Sequence, residues 1–201
     1  MRAWLRRWRL RLSRCPADCG AVVPSAVYRD RSYAAGLESP DQAEIVEVLA
    51  GRVGEATRVL HVGVGSSALA RRLGPRVAQV DGFTVLDDEA SVARALGLPN
   101  YRVWTGNKYG AGLAEARGPY DAVVDNNPGS FACCRRHFRG MMAGYASALG
   151  PGGAVWTHAR GAGWRQRGGL ALDWDGWARE AAAVQLVPER LTGDVWLARR
   201  S

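Results

Sequence analysis

The stretch "DNNPGS", Asp125–Ser130, puts a carboxylate, two amides and a hydroxyl at the end of an apolar run, "YDAVVD". Side chains of these types at a strand end can orient an acceptor through hydrogen bonds, and a carboxylate can take up a proton. Asp125 and Asn126 are therefore candidate catalytic residues, with capping of the next helix as their structural alternative. His158 ends another such run, "GAVWTH", and is the third candidate. His61 and His137 fall in a strand-like and a helix-like segment, where an imidazole commonly has a structural role.

A second cluster is made of glycine. In "RVLHVGVGSSALARRL", Arg58–Leu73, an apolar run passes through Gly63, Gly65 and Ser66 into a helical segment. Glycines there let the backbone approach a ligand closely, and the helix start offers unpaired N–H groups. Gly63, Gly65 and Ala68 also satisfy the dinucleotide pattern G-x-G-x-x-G/A, a weak signal by itself. Cys15 and Cys19 have metal-ligand spacing, but Cys133 and Cys134 do not complete a tetrahedral set, so no metal site is expected.

These residues need elements to hold them. Ser39 and Pro40 open a helix in "SPDQAEIVEVLAGR" that ends near Gly51. From Arg58 onward, β-branched runs ("RVLHVG", "RVAQVDGFTVL", "YRVWTG", "YDAVVD", "GAVWTH") alternate with helical segments beginning near Ser66, Asp87, Gly112, Ala132 and Asp173. Such alternation predicts βαβ units around a mainly parallel sheet. "AVQLVPERL" and "DVWLARR" are separated by too few residues for a crossover helix, which predicts an antiparallel hairpin.

The glycine turn, "QVDGFTVLDDE", "TGN", "YDAVVDNNPGS", the "LGPGG" turn and the closing hairpin occur in an order that resembles a class I S-adenosylmethionine-dependent methyltransferase of the small-molecule type. The resemblance covers Arg58 to the C-terminus. It implies an α/β, Rossmann-like seven-stranded, mainly parallel sheet with helices on both faces and a C-terminal antiparallel hairpin. It also implies S-adenosylmethionine lying across the carboxyl ends of the early strands. Gly63, Gly65 and the backbone near Ser66 match the motif that accommodates the methionine and sugar portions. His61 stands where many members have an acid, a departure at the contact to the methionine amino group. Thr84 falls where members commonly bind both ribose hydroxyls with an acid and resembles a "GxTxS" variant; Asp81 takes that role if the strand register is shifted. Gly106 and Asn107 resemble the Gly-Asp pair that reads the adenine amino edge, with a simple turn as the alternative.

Asp125 lies beside the expected methyl group and so counts with the cofactor contacts as well as the catalytic candidates. "DNNPGS" resembles the N/D-P-P-x motif of nucleobase methyltransferases only loosely, because Gly129 follows Pro128 and the aromatic is displaced to Phe131. Tyr28, Tyr33, Trp164, Trp174 and Trp177 could wall an acceptor pocket or pack as core. Arg160, Arg165 and Arg167 would suit an anionic acceptor or stay solvated.

The bulk properties fit this reading. The 201 residues are 47% hydrophobic and 23% charged, with no stretch long and apolar enough to span a membrane. Of the net charge of +8, six units belong to the arginines of residues 1–14, so the rest carries +2. The body gives no strong footprint for nucleic acid, whereas Trp4 and Trp8 within the basic arm could touch a membrane surface or a partner, with a solvated terminus or a helix packed on its own domain as the alternative. The organisation expected is a basic arm at 1–14, a lead-in and first helix at 15–54, and the cofactor-binding domain at 55–201. The expected activity is methyl transfer to a small-molecule acceptor, as in secondary metabolism, in a cytoplasmic protein compatible with a homodimer. Three alternatives stay open. They are a non-catalytic binder of the same fold, aminopropyl transfer without the usual "GGGDG" turn, and a nicotinamide dehydrogenase that the closing hairpin disfavours.

Overall fold

The computed structural model describes residues 37–130, 132, 134–164 and 170–201. The basic arm, most of the lead-in with Tyr28 and Tyr33, Cys15, Cys19, Phe131, Cys133, Arg165 and Arg167 lie outside them.

The chain enters through helix α1 (Pro40–Ala50) and then alternates: β1 (Arg58–Val62), α2 (Ala68–Leu73), β2 (Gln79–Thr84), α3 (Asp87–Arg94), β3 (Tyr101–Thr105), β4 (Tyr120–Asp125), α4 (Arg135–Ala148), β5 (Leu149–His158), α5 (Ala159–Gly163), α6 (Trp174–Ala182), β6 (Leu186–Arg190) and β7 (Val195–Arg200). The segment near Gly112 forms only a short 3-10 turn, Ala111–Glu115, in place of the expected helix. Its cause is local: Gly112 folds back on Asn107, and any Cβ on Gly112 would sit 2.6 Å from the Asn107 carbonyl oxygen.

One seven-stranded sheet runs in the order β3-β2-β1-β4-β5-β7-β6. The first five strands pair in parallel, and β7 is inserted antiparallel between β5 and β6. A seven-stranded, mainly parallel sheet with a C-terminal antiparallel hairpin is what the resemblance implied. Side chains alternate between the two faces, as a pleated strand requires. Val59, Ala122, Val124 and Trp156 pack under α1 and α2, while Leu60, Val62, Val123 and Val155 pack against α4 and α6. Val103 meets Ala90 and Ala93 of α3.

Parallel register is what gathers the site. Val62 pairs with Phe83 on one side and with Asp125 on the other, and Thr84 pairs with Thr105. The loops that follow these strands therefore emerge together at the carboxyl edge of the sheet, where open α/β sheets hold ligands.

Candidate functional site

A cavity of about 380 Å³ opens at this edge, within the size range of small-molecule sites. The turn after β1 forms one wall. Gly63 and Gly65 have φ of 72° and 50°, the left-handed region that glycine enters without a steric penalty. Ser66 lines the cavity, and its Oγ is buried without a hydrogen-bond partner among the described residues. A buried hydroxyl left unpaired is costly unless a ligand completes it.

Thr84 and Glu89 form the next wall. Thr84 Oγ1 donates to Glu89 Oε2 at 2.8 Å, and the Gly65 N–H donates to the other oxygen of the same carboxylate. Glu89 is 5% exposed and faces the cavity from α3, five residues beyond the end of β2. The sequence reading missed it. A threonine at the usual acid position, followed by acids in the first turn of α3, is the signal that could have found it.

Asp81 is elsewhere. It lies three residues before the end of β2, about 10 Å of strand, on the α4 face. Its carboxylate takes hydrogen bonds from Arg102, Gln79 and Tyr120. Burial alone would raise its pKa, but these donors and the Arg102 charge hold it below the usual range. Asp81 is a structural anchor for β3, and the expected ribose contact there has no geometric basis.

After β3, Gly106 and Asn107 line the cavity. Asn107 Oδ1 accepts from the Tyr109 N–H at 2.9 Å, which fixes the turn while the residue remains half-buried at the cavity wall. Gly106 is needed for packing, since a Cβ would come within 2.6 Å of Gly112 Cα. Next to them is Lys108, which sequence reasoning also missed. Its Nζ donates to both oxygens of Asp125, at 3.0 and 2.9 Å, and to the Asn127 carbonyl at 2.6 Å. Tyr145 donates a further hydrogen bond to Asp125. Burial pulls the Lys108 pKa down, against the opposing Asp125 charge. Asp125 does face the cavity, but as half of a buried ion pair it is not a free base.

Asn126 follows, with Nδ2 donating to Asp41 Oδ2 at 2.8 Å and Oδ1 buried without a partner among the described residues. Asp41 reaches it from the first turn of α1 and is another cavity residue found only in three dimensions. Burial pushes Asp41 up, but hydrogen bonds from Ser39, Asn126 and its own N–H, with His158 nearby, bring it below its ordinary value. Arg160 and the 41% exposed Trp164 close the rim.

The histidines do not line the cavity. His61 faces α1, where Gln42 Nε2 meets its Nε2 at 3.3 Å, and burial lowers its pKa to about 4. Gln42, not His61, reaches the cavity wall. His158 turns away, accepting from the Arg160 N–H through Nδ1 and meeting Glu44 through Nε2 at 3.1 Å. That arrangement caps α5. His137 lies beside Cys134 at the start of α4. Of the candidate aromatics, Trp177 is fully buried core and Trp174 packs edge-on against Trp196. Among the described residues no group of three or more His, Cys, Asp or Glu could hold a metal ion, and no helix is long and apolar enough to cross a membrane.

No protein-family model matches the chain, and no curated protein is significantly similar to it. Solved structures are. An amino pentose methyltransferase, CalS10 from Micromonospora echinaspora, determined with S-adenosylmethionine bound, matches with a TM-score of 0.64 at 17% identity over 87% of this chain and 98% of its own. The N-methyltransferase NodS of Bradyrhizobium japonicum, with S-adenosyl-L-homocysteine, gives 0.61 at 16% identity over 90% and 97%. DesVI of Streptomyces venezuelae gives 0.61 at 17% over 90% and 98%. At these identities the likeness is one of fold, and the fold is that of class I methyltransferases.

Proposed function

We propose that the protein is an S-adenosylmethionine-dependent methyltransferase acting on a small-molecule acceptor. The observation that carries this reading is the cavity wall in which Glu89 joins the glycine turn to the end of β2, with the unpaired Ser66 hydroxyl beside it. When bound, S-adenosylmethionine supplies a methyl group on a positively charged sulfur.

Glu89 is the residue for the ribose hydroxyls, because a carboxylate can accept two hydrogen bonds at once. Thr84 orients that carboxylate and does not substitute for it. Gly63, Gly65 and Ser66 accommodate the methionine portion, and Gly106 with Asn107 borders the adenine. Asp125 is held by Lys108, so its part is to keep the β4 end rigid beside the reacting centre. Asn126 and Asp41 face the acceptor side. Methyl transfer needs close alignment more than proton traffic, so a wall of fixed dipoles suits it. His158 is not assigned a catalytic role, and Asp81 and His61 are not assigned cofactor contacts.

Among the described residues, two cations against three carboxylates line the cavity, which favours a positively charged ligand. The small-molecule acceptor is supported by the fold neighbours, whose names include an amino pentose methyltransferase. Calorimetric titration with S-adenosylmethionine, S-adenosylhomocysteine and NADH tests the assignment. Micromolar binding of the two sulfur compounds and none of NADH is the expected result; absence of binding by both sulfur compounds would refute it.

A further inference from the structure

The cavity has a second end, toward β4 and β5, with a chemistry of its own. Asp41 is 8% exposed there, and among the described residues no cation lies within salt-bridge distance of it. The other two carboxylates of the cavity are engaged differently, Asp125 by Lys108 and Glu89 by Gly65 and Thr84. A carboxylate that stays ionised while buried, hydrogen-bonded by the neutral donors of Ser39, Asn126 and its own N–H with His158 nearby, is complementary to an incoming cation or N–H group. Asn126 steadies that carboxylate from the same end, its Nδ2 donating to Asp41 Oδ2 at 2.8 Å. Arg160 carries the opposite charge, but it lies at the exposed rim, where solvent and salt screen it.

A second observation is independent of the first. The chain has three histidines, and none lines the cavity. A hydroxyl acceptor needs a base as the new bond forms. Among the described residues the cavity offers paired carboxylates, an Asp41 that protonates with difficulty, and Tyr109, whose phenol burial pushes far up. A neutral amine needs no base in the transition state, since its lone pair is already nucleophilic.

Resting on the methyl-transfer reading, we propose that the acceptor is a primary or secondary amine whose nitrogen is held at the β4–β5 end of the cavity by the Asp41 carboxylate. The ammonium form binds Asp41 and gives one proton to solvent. The nitrogen lone pair then forms the N–C bond to the methyl carbon as the C–S bond breaks. The bonding pair stays on sulfur, the positive charge passes to nitrogen, and the product leaves as an alkylammonium or, after losing a proton to solvent, as an amine. Asp41 accepts an N–H hydrogen bond throughout and aims the lone pair.

The test is binding to the full chain saturated with S-adenosylhomocysteine, followed by NMR. Benzylamine, cyclohexylamine and a methyl glucosaminide are each compared with the matching alcohol: benzyl alcohol, cyclohexanol and methyl glucoside. At least one amine should bind about tenfold or more tightly than its alcohol, as a hydrogen bond to a charged group implies. In Asp41→Asn that preference should fall to about threefold or less, with a dispersed spectrum and near wild-type S-adenosylhomocysteine affinity showing that the variant is folded. The proposal is overturned if no amine outbinds its alcohol on the wild-type chain, or if the preference survives in Asp41→Asn. It is also overturned if Asp41→Asn instead loses S-adenosylhomocysteine, which would assign Asp41 to the cofactor's own ammonium. Failure of the wild-type chain to bind S-adenosylhomocysteine would sink the methyl-transfer reading itself.

Discussion

Glu89 holds together two parts of the cavity wall, and on the proposed reading its removal should be felt in affinity before stability. Glu89→Ala is expected to weaken S-adenosylhomocysteine roughly 10- to 100-fold, the value of one or two hydrogen bonds to a charged group, whereas Asp81→Asn should leave that affinity nearly unchanged and lower the melting temperature. Titration of both variants checks the contrast. Lys108 and Asp125 form the other buried unit. Lys108→Met strands the carboxylate and should cost about 3–5 kcal/mol in urea unfolding, much of it recovered by adding Asp125→Leu. His61 gives a pH signature. Burial lowers its pKa from 6.5 to about 4, so between those values the unfolded chain binds the extra proton. Stability should therefore fall as pH drops through that window, by about 3 kcal/mol. Unfolding at pH 7 and pH 5 checks this, and His61→Gln should flatten the slope. Asp41 and Asp81 add their own losses only at lower pH, because both are held below the ordinary carboxylate value. Gly63, Gly65, Asn107 and Asn126 were legible in the sequence because each lies within three residues of a strand's end. Glu89, Lys108 and Asp41 were not, since each reaches the cavity from a helix or turn whose facing depends on packing.

At the scale of elements, α5 and the loop after β4 are packed without room for one more carbon. A Cβ on Gly161 would stand 1.9 Å from the Asn126 carbonyl oxygen and 2.5 Å from its Oδ1. Gly161→Ala should cost about 1–3 kcal/mol of stability. It should also disturb acceptor-end binding more than cofactor binding, a split that parallel titrations would reveal. The strands were readable from their β-branched runs, and the hairpin from its short turn. The helix expected near Gly112 was not formed, because the turn after β3 folds back on itself through Gly106 and Gly112. His158 was read correctly as the end of β5, but its ring is committed to Glu44 and the α5 backbone, a contact with no local sequence signal.

For the whole molecule, the alternation of pieces along the chain was enough to imply a mainly parallel sheet with a closing hairpin, and the resemblance implied its seven strands; the order in which the strands lie is seen only in the structure. What order does not carry is the content of the loops, where function resides on a shared fold. The central claim is that the edge formed by β1 to β4 holds an adenosyl cofactor with its ribose on Glu89. A crystal structure of the full chain grown with S-adenosylhomocysteine tests it most directly. The account predicts the ligand in this cavity, with both ribose hydroxyls on the Glu89 carboxylate and the methionine portion against Gly63 to Ser66. The ligand bound elsewhere, or bound here with Glu89 turned away from the ribose, would contradict it.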